Sequence, residues 1–374
     1  MCIYFFTDIY AIFNFFCKNG VKIEDENTHT NLNQMKKAIL FMVVVVTFAS
    51  CKKKSEEIII EEKLSPDIEL VVNGATEETQ PLYQPSETYN FLGFGYDATD
   101  KFNNQASIRA SVVDVEAYTA AEFSKINIDR AGEGSWKTIE ADNAVDLSER
   151  FSNSFQDTQG LRLFGNTIEN TFPGTFVTDK KYVYGHYCLY WIFKRCKFHD
   201  WQSLNNSLTS GFKRDITLLS AQELVHKYGT HVLKGVRMGA KLDVFYQAEA
   251  KGENRQSIIK EGLRYAVKRT FGLPTGGLDD VNLRNLNANS SAQIYFSSTG
   301  GDMSKLKIET INNRQIVNIT NWLSANTEDN AQFIFAYDNG LVPLDSFIDD
   351  SVKKAEVKSY LEQYFASKAA KLTN

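Results

Sequence analysis

The sequence lacks the features that mark several common functional classes. Its five cysteines form no Cys-x-x-Cys pair and no Cys/His spacing typical of a metal site. The formal net charge is −5, and no run of lysine or arginine is interleaved with aromatic residues, so a nucleic-acid partner is not expected. A basic helix of the kind that lies on membrane surfaces is also absent. We therefore expect neither a metal-stabilised module nor a nucleic-acid-binding protein.

Catalytic signatures are missing as well. The chain has no Gly-x-Ser-x-Gly elbow, no phosphate-binding loop and no dinucleotide fingerprint between a strand and a helix. His226 and His231 are five residues apart and do not form a His-Glu-x-x-His motif. The adjacent Gly276 and Gly277 are typical of a turn. We therefore predict that the protein is not an enzyme and uses no cofactor.

A lipoprotein signal peptide is predicted at residues 35–50. Met35 is followed by two lysines, then by an apolar segment over residues 38–48, and then by small residues immediately before Cys51. This arrangement resembles a bacterial lipobox, in which the cysteine is acylated and becomes the mature N-terminus. The alternative is a transmembrane helix, but the apolar segment is shorter than the roughly 20 residues that a helix needs to cross a bilayer. We predict lipidation at Cys51.

The segments on either side of this signal have different interpretations. If translation starts at Met35, residues 1–34 are an upstream over-call that is absent from the natural protein. Residues 51–89 are charged and lack a long apolar period, so we predict a tether, with one short strand near 68–72. Glu56 and Glu57 resemble the surface-export tag of some Gram-negative lipoproteins, and a merely solvated linker fits them equally well.

The most informative segment is 219–247, where a helix turns into a long strand. Ser220 and Glu223 have the spacing of a capping box, which begins a helix, and Gly229 ends that helix. From Val232 the period of apolar residues changes to two, which predicts a strand. Glycine inside a strand marks a bend or a close backbone approach, so Gly239 predicts one there.

This segment resembles the signature of the membrane attack complex/perforin (MACPF) family. The signature is an aromatic residue, Gly, Thr or Ser, His, another aromatic residue, six residues, and then two glycines. Val232 stands where the second aromatic residue is expected, and Ala240 replaces the second glycine. The residues that we assign to the signature and its bend are Tyr228, Gly229, Thr230, His231, Gly235 and Gly239.

The resemblance implies an α+β fold. The expected architecture is that of MACPF and cholesterol-dependent cytolysins, a bent antiparallel four-stranded sheet flanked by two helical clusters. It implies one MACPF domain over residues 90–374 that ends in an amphipathic helix. In this fold, the three signature glycines would form the bend, and His231 would lock it by bonding the backbone with its ring nitrogens.

The family's two helical clusters are thought to unfold into membrane-inserting hairpins, so each should fit a helix and a strand at once. Residues 259–271 have one apolar face as a helix, and they alternate between apolar and basic residues as a strand. Residues 286–296 alternate between largely apolar residues and uncharged polar ones. The candidates for membrane insertion are Ile259, Leu263, Tyr265, Val267, Phe271, Leu286, Ala288, Ala292, Ile294 and Phe296.

Two further expectations concern other parts of the domain. The first helical cluster is expected at about residues 116–172, where many charges would crowd any lipid-facing side. Cys188 and Cys196 fall in one predicted strand over 182–198, eight residues and roughly 26 Å apart, too far for a disulfide. We predict that both are free and structural.

The resemblance implies a surface lipoprotein that forms oligomeric pores, with its own lipid anchor and a target membrane as its membrane partners. A homo-oligomeric ring would assemble on that membrane, through a receptor that the sequence does not reveal. The expected location is the bacterial outer membrane, lipid-anchored and surface-exposed or released, and the expected role is an antibacterial toxin. The alternative is a non-lytic adhesin or glycan-binding lipoprotein with the same fold.

Overall fold

The computed structural model describes residues 70–73, 82–121, 125–172, 179–250, 255–275, 292–311 and 314–372. All of them belong to the unit Lys63–Asn374. The predicted signal peptide, Cys51, Leu286 and Ala288 lie outside the described residues.

Twelve strands lie within the described residues. They are β1 (Leu70–Asn73), β2 (Phe94–Tyr96), β3 (Ile108–Ser111), β4 (Ile126–Ala141), β5 (Tyr182–Phe198), β6 (His231–Leu233), β7 (Gly235–Glu249), β8 (Ala292–Thr299), β9 (Lys307–Ile311), β10 (Arg314–Asn318), β11 (Gln332–Ala336) and β12 (Leu341–Pro343).

The α-helices of the same residues lie mostly between the strands. They are α1 (Val115–Ala121), α2 (Ala144–Ser152), α3 (Gly165–Thr171), α4 (Ser210–Leu218), α5 (Ala221–Tyr228), α6 (Arg255–Tyr265), α7 (Thr320–Ala325) and α8 (Ser351–Lys368). A π-helical turn, Ala266–Thr270, extends α6, and short 3₁₀ turns occupy several of the connections.

The centre of the fold is a large sheet with the strand order β1-β8-β7-β5-β4. The four strands β8, β7, β5 and β4 pair antiparallel with one another in this order, and β11 also pairs antiparallel with the first part of β7. Strands β5 and β7 are long, at 17 and 15 residues. Their length follows from runs of aromatic and β-branched residues without proline. The predicted α+β architecture with a four-stranded antiparallel sheet is confirmed.

Helices cover both faces of this sheet, so the strand residues of β7 are buried almost throughout. On one face, apolar residues such as Leu242 and Val244 pack beneath α6. On the other face, His186 of β5 contacts Phe151 of α2, with ring centroids 5.6 Å apart. The two helical clusters therefore lie on opposite sides of the sheet.

A smaller sheet with the order β12-β6-β2-β3 lies beside the central one. It contains β2, and its strand β6 begins at His231, shortly after α5 ends at Tyr228. The predicted long strand from Val232 is therefore divided at Lys234, because β6 belongs to the small sheet and β7 to the central one.

Several local predictions are confirmed. Ser220 and Glu223 form a complete capping box at the start of α5, and Gly229 ends the helix with a φ of 78°. The predicted strand over 182–198 is β5, and both of its cysteines are buried and free. The terminal helix is present as α8, with Val357 and Leu361 buried.

Two boundaries differ from the expectations. β1 pairs in parallel with β8 at the edge of the central sheet, so four residues of the predicted tether belong to the domain. The first helical cluster was expected from residue 116, yet Ile126–Ala141 is the edge strand β4. Many side chains of β4 are exposed, and their charges conceal its strand pattern from a sequence reading. The cluster is therefore confined to the segment between β4 and β5, which contains α2 and α3.

Candidate functional site

The signature residues form a corner where α5 meets the small sheet. Gly229 has a φ of 78°, and a Cβ atom on it would lie 2.6 Å from the carbonyl carbon of Tyr96. Only glycine fits here, because a side chain would be strained by the backbone and would collide with β2. Tyr228 closes the other side of the corner by donating a hydrogen bond from its hydroxyl to Asp215, at 2.8 Å. The signature therefore fixes where the helix ends and how close β2 lies to it.

Thr230 connects three segments at this corner. Its Oγ1 accepts a hydrogen bond from the backbone amide of Ala98 at 2.9 Å, and it lies 3.2 Å from the carbonyl oxygen of Tyr96. The same hydroxyl lies 2.8 Å from Nδ1 of His231. Since all of these groups are buried, the hydroxyl satisfies polar atoms that would otherwise lack partners.

His231 is buried at the corner and stacks against Phe365 of α8, with ring centroids 6.0 Å apart. We expected its ring nitrogens to bond the backbone, but Nδ1 contacts the Thr230 hydroxyl instead. Burial lowers the pKa of His231 to about 4, so the ring is neutral at physiological pH. The imidazole therefore links the signature to the terminal helix without carrying a charge.

The central sheet is irregular at the level of Gly239. A Cβ atom on Gly239 would lie 1.9 Å from the carbonyl oxygen of Trp191, and one on Gly300 would lie 2.2 Å from the oxygen of Gly239. The β5–β7 ladder shifts register between Ile192 and Lys194, next to this glycine, and the β4–β5 and β7–β11 ladders also contain a shift. Bulges bend strands and increase their twist, so this level is where the sheet changes direction.

Gly235 has a different place from the one expected. It begins β7 at the border between the two sheets, and a Cβ atom on it would lie 2.8 Å from Cδ2 of the Tyr337 ring. It therefore allows close packing against the segment after β11.

The helix α6 lies flat on one face of the central sheet. Ile259 and Leu263 are buried among apolar residues of β5, β7 and β8, and Val267 and Phe271 continue this contact beyond the helix. The predicted apolar helical face is therefore confirmed. Among the insertion candidates, Tyr265 is also buried here.

Two glycines bring this helix unusually close to the sheet. A Cβ atom on Gly185 of β5 would lie 3.2 Å from Cβ of Leu263. A Cβ atom on Gly262 would overlap the ring of Tyr246 in β7. The contact thus depends on close fit and on apolar area buried between the helix and the sheet.

The other insertion candidates within the described residues are already in a strand. Ala292, Ile294 and Phe296 point towards the α6 face from β8, which pairs with β7 from Ala292 to Thr299. No helix-to-strand conversion is needed for these three residues, contrary to the expectation for the whole segment. Any conversion on this side is limited to the residues between β7 and β8.

One arginine joins the ends of both helical clusters. The Arg255 guanidinium at the start of α6 donates to the carbonyl oxygens of Ala250, Lys180 and Tyr182, at 3.0, 2.7 and 2.9 Å. It also donates to the carbonyl oxygen of Asp142. Asp142 follows β4, Lys180 precedes β5, and Ala250 follows β7. Arg255 therefore connects the points where three long strands give way to the clusters.

The opposite face of the sheet contains a buried charged group that the sequence analysis missed. The Asp243 carboxylate lies 2.7 Å from Nζ of Lys241 and 2.8 Å from Nε2 of His186. Burial opposes ionisation of Asp243, but Lys241 and His186 outweigh it and hold the pKa of Asp243 below its usual value. Burial lowers the pKa of His186 and raises that of the neighbouring Cys188. The available signal was the pair of charges at positions 241 and 243, on one side of a strand whose other side is apolar.

His186, Cys188 and Asp243 bring one potential metal-ligand atom each to within 4.8 Å of one another. A cation fits poorly here, because the Lys241 ammonium already supplies the positive charge at 2.7 Å from Asp243. Lys137 adds a second ammonium nearby, 4.2 Å from the centre of the Phe335 ring. The group therefore contains an ion pair within β7, and the hydrogen bond between Asp243 and His186 connects it to β5.

Within the described residues, no helix is both long and apolar enough to cross a bilayer.

The comparisons with known proteins agree with this geometry. Residues 84–372 match the family model of the MAC/Perforin domain, and the chain therefore belongs to the MACPF family. The family includes pore-forming, non-enzymatic proteins that bind membranes and oligomerise into rings.

Two solved structures share the fold at low sequence identity. A MAC/Perforin-domain protein from Bacteroides thetaiotaomicron is 17% identical with a TM-score of 0.60, and 78% of this chain and 64% of that chain are covered. GNIP1Aa from Chromobacterium piscinae is 14% identical with a TM-score of 0.60, and 78% and 58% are covered. The chain thus spans less than two thirds of either structure. No curated protein matches the sequence.

Proposed function

We propose that this protein is a lipid-anchored surface protein that assembles into oligomeric pores in a target membrane. The observation that carries this proposal is the position of the two helical clusters. One lies in the segment 142–181 between β4 and β5, and the other lies in the segment 250–291 between β7 and β8. Of these segments, the structure describes residues 142–172, 179–181, 250 and 255–275. Each connects two antiparallel neighbours, so each could be converted into a hairpin that lengthens strands already in the sheet.

The register supports this use of the clusters. Ala141 pairs with Tyr184, Tyr182 pairs with Glu249, and Ala248 pairs with Ala292, so both clusters leave the sheet at the same end. Each cluster has roughly 40 residues, enough for two arms of roughly 20, whereas a tilted strand crosses a bilayer with roughly 9–11. Both hairpins could therefore span a membrane while remaining continuous with the four long strands.

On insertion, α6 would exchange apolar packing on the sheet for apolar contact with lipid. Its buried residues Ile259, Leu263 and Val267 fall on one side of a strand as well as on the helix face, so they could contact lipid instead. Glu261 and Arg264, 3.3 Å apart as an ion pair, fall on opposite sides of a strand. Arg269 falls on the same strand side as Glu261 and Ile259. A lipid-facing arginine costs about 2–4 kcal/mol at mid-bilayer and a glutamate less, so both charges belong near the interfaces.

Assembly requires free strand edges, and the two edges of the central sheet differ. Within the described residues, β4 has no strand paired on its outer side over its 16 residues. The outer side of β8 is paired with β1 over four residues, from Ala292 to Tyr295. A second copy could pair its β4 with β8 once β1 has left, which would continue the antiparallel order around a ring.

The proposed location follows from the sequence. Acylation at Cys51 would hold the protein on the bacterial outer membrane, facing outwards or released from the cell, and a competing cell's outer membrane would be the target. Replacing Cys51 by alanine should move the protein from the membrane fraction to the soluble fraction, whereas Cys17→Ala should have no effect. An unchanged membrane fraction for Cys51→Ala would contradict the anchor.

A disulfide between α6 and the sheet tests pore formation directly. Residues Gly185 and Leu263 are positioned for it, because their Cβ atoms would lie 3.2 Å apart and disulfides need roughly 3.5–4.5 Å. The oxidised double variant Gly185→Cys/Leu263→Cys should not release dye from vesicles made of target-cell lipids. Dithiothreitol should restore the release.

The controls are the two single variants, which should leak with and without reductant. Cys188 is three residues from position 185 and so faces the other side of the sheet, which keeps it away from the new pair. Leakage that is equal in oxidised and reduced protein would show that α6 stays on the sheet. Binding to target cells without any leakage by the unmodified chain would overturn pore formation in favour of an adhesin.

A further inference from the structure

A small open cavity lies at the end of the central sheet opposite the clusters, with a volume of about 150 Å³. It is bordered by the end of β5, the start of β7 and the turn after β11. Its polar and aromatic lining includes Lys197, His199, Trp201, Lys234, Tyr337 and Asn339. This volume is below the roughly 300–1,000 Å³ typical of sites for drug-sized molecules, so the open cavity suits a ligand no larger than a single sugar unit.

Two lysines give the cavity a positive charge. Within the described part of the chain, neither Lys197 nor Lys234 has a carboxylate at ion-pair distance, although both are half-buried. The nearby Arg195 is paired with Asp129 and Glu133, and Arg237 lies 3.9 Å from Asp338. The charge of Asp157 acts on Lys234 only from beyond that distance. The two free ammonium groups therefore favour an anionic ligand.

The remaining walls suit a sugar. The cavity is lined by the aromatic residues Trp201 and Tyr337, and Lys197 Nζ lies 5.9 Å from the centre of the Tyr337 ring. Asn339 adds an amide that can donate and accept hydrogen bonds. The backbone of the wall is fixed, because the Lys234 amide donates to the Gly340 carbonyl at 2.7 Å and the Tyr337 amide donates to Gly235 at 3.1 Å. Aromatic surface combined with a few fixed polar groups is typical of a preformed ligand site.

We propose that this cavity binds a phosphorylated or carboxylated sugar. The two lysines would hold the phosphate or carboxylate, the aromatic side chains would contact the ring, and Asn339 would bond its hydroxyls. This recognition is separate from the conversion of α6, because Leu242 beneath α6 is seven residues along β7 from Gly235 at the cavity, a distance of roughly 23 Å.

The position of the cavity also indicates where such a sugar comes from. If the clusters insert as proposed above, the cavity lies far above the bilayer surface. A sugar chain that extends from the cell, or a soluble saccharide, reaches it more easily than a lipid headgroup does. This last step rests on the proposed pore function, whereas binding itself does not.

The test uses isothermal titration calorimetry with the purified full chain. The probes are glucose 6-phosphate, galacturonic acid, glucose and inorganic phosphate, and a second arm uses vesicles that contain a phosphorylated glycolipid. We expect one of the anionic sugars to bind, and Lys197→Ala/Lys234→Ala to weaken it by roughly tenfold or more. The matched control Lys213→Ala/Lys307→Ala removes the same charge from exposed positions and should bind like the unmodified chain.

Trp201→Ala should weaken the binding of the anionic sugar but not the binding of inorganic phosphate. Binding to free sugars alone supports a soluble or extended source, and binding to the vesicles as well supports a glycolipid source. Equal affinity for inorganic phosphate, an equal loss in both double variants, or no binding of any sugar would overturn the proposal. None of these results depends on leakage, so they test sugar binding whether or not the protein forms pores.

Discussion

Gly262 of α6 lies so close to Tyr246 of β7 that a Cβ atom on the glycine would be 2.1 Å from Cζ of the tyrosine ring. Tyr246 is only 1% exposed, so its ring has little room to move away. Because Gly262 has no side chain, α6 can lie this close to β7.

Gly262→Ala should destabilise the protein. Alanine favours a helix over glycine by about 1 kcal/mol, but overpacking of a buried contact costs about 1–3 kcal/mol, so the clash should prevail. Denaturant unfolding should show a lower midpoint, and dye release should begin faster because α6 is held less tightly. Gly211→Ala in α4 is the matched control, since its added Cβ would be 3.8 Å from the nearest neighbouring atom. A loss of stability in both variants would contradict the explanation by contact with Tyr246.

Arg255→Met should loosen the junction of the two clusters. The variant keeps most of the apolar stem but leaves the carbonyls of Asp142, Lys180, Tyr182 and Ala250 without their shared donor. Since the site is half-buried, we expect a loss of about 2 kcal/mol in the free energy of unfolding. Hydrogen exchange should become faster at the start of α6 and at both ends of the first cluster.

The control for this variant is Arg130→Met. Its ion pair with Glu328 is largely exposed, with 73% and 48% of the side chains accessible, so its loss should change stability by less than about 1 kcal/mol. Unchanged exchange in Arg255→Met would show that the four carbonyl contacts do not hold the clusters in place.

These contacts show which parts of the molecule a sequence can reveal. The capping box at Ser220, the turn at Gly229 and the apolar face of α6 are local patterns, and the structure confirms each of them. The edge strand β4 was missed because exposed edges tolerate charges and therefore lose the alternation that marks a strand. The division at Lys234 was missed because the period of apolar residues continues from one sheet into the other.

Contacts between segments that are distant in the sequence could not be predicted from it. Arg255 reaches Asp142 across 113 residues, and nothing near either residue indicates the pairing. Gly185 and Gly262 became informative only when the structure placed α6 against β5 and β7. Lys241 lies on the side of β7 opposite the apolar even positions, yet it is only 3% exposed, and its Nζ lies 5.7 Å from the centre of the Phe335 ring of β11. Tertiary packing, which decides such positions, is not encoded in a local period.

Asp243→Asn should be strongly destabilising. The substitution removes the charge that balances Lys241, whose side chain is 3% exposed, and breaking a buried pair costs about 3–5 kcal/mol. Adding Lys241→Met should recover more than half of the loss, because it removes the Lys241 ammonium that Asp243→Asn leaves without a partner. The measurement is the free energy of unfolding in urea for both variants. No recovery in the double variant would show that Asp243 acts through His186 rather than through Lys241.

His231 should make stability depend on pH. Its pKa falls from 6.5 in a model peptide to about 4 in the folded chain, so between these values the unfolded chain binds the proton and the folded chain does not. Stability should therefore be complete above pH 6.5 and should fall as the pH decreases, with a loss of about 3 kcal/mol at pH 4. His231→Asn should remove this part of the slope, as measured by urea unfolding between pH 7 and 4. His186 contributes in the same direction, so a weaker slope remains in the variant. Identical slopes in the two proteins would contradict the assignment to His231.

A lock on β1 should prevent assembly. Val71 and Gln293 are Cα partners in the parallel pair, and adjacent strands lie roughly 4.8 Å apart, within the range that disulfides span. Oxidised Val71→Cys/Gln293→Cys should bind vesicles without forming oligomers, because the backbone groups of β8 stay occupied and a second copy's β4 cannot pair with them. Reductant should restore the oligomers, as followed by crosslinking and gel electrophoresis. The control disulfide Lys307→Cys/Asn318→Cys joins β9 to β10 outside the central sheet and should leave assembly unchanged. If the locked and unlocked proteins assemble equally well, the ring does not use this edge of the sheet.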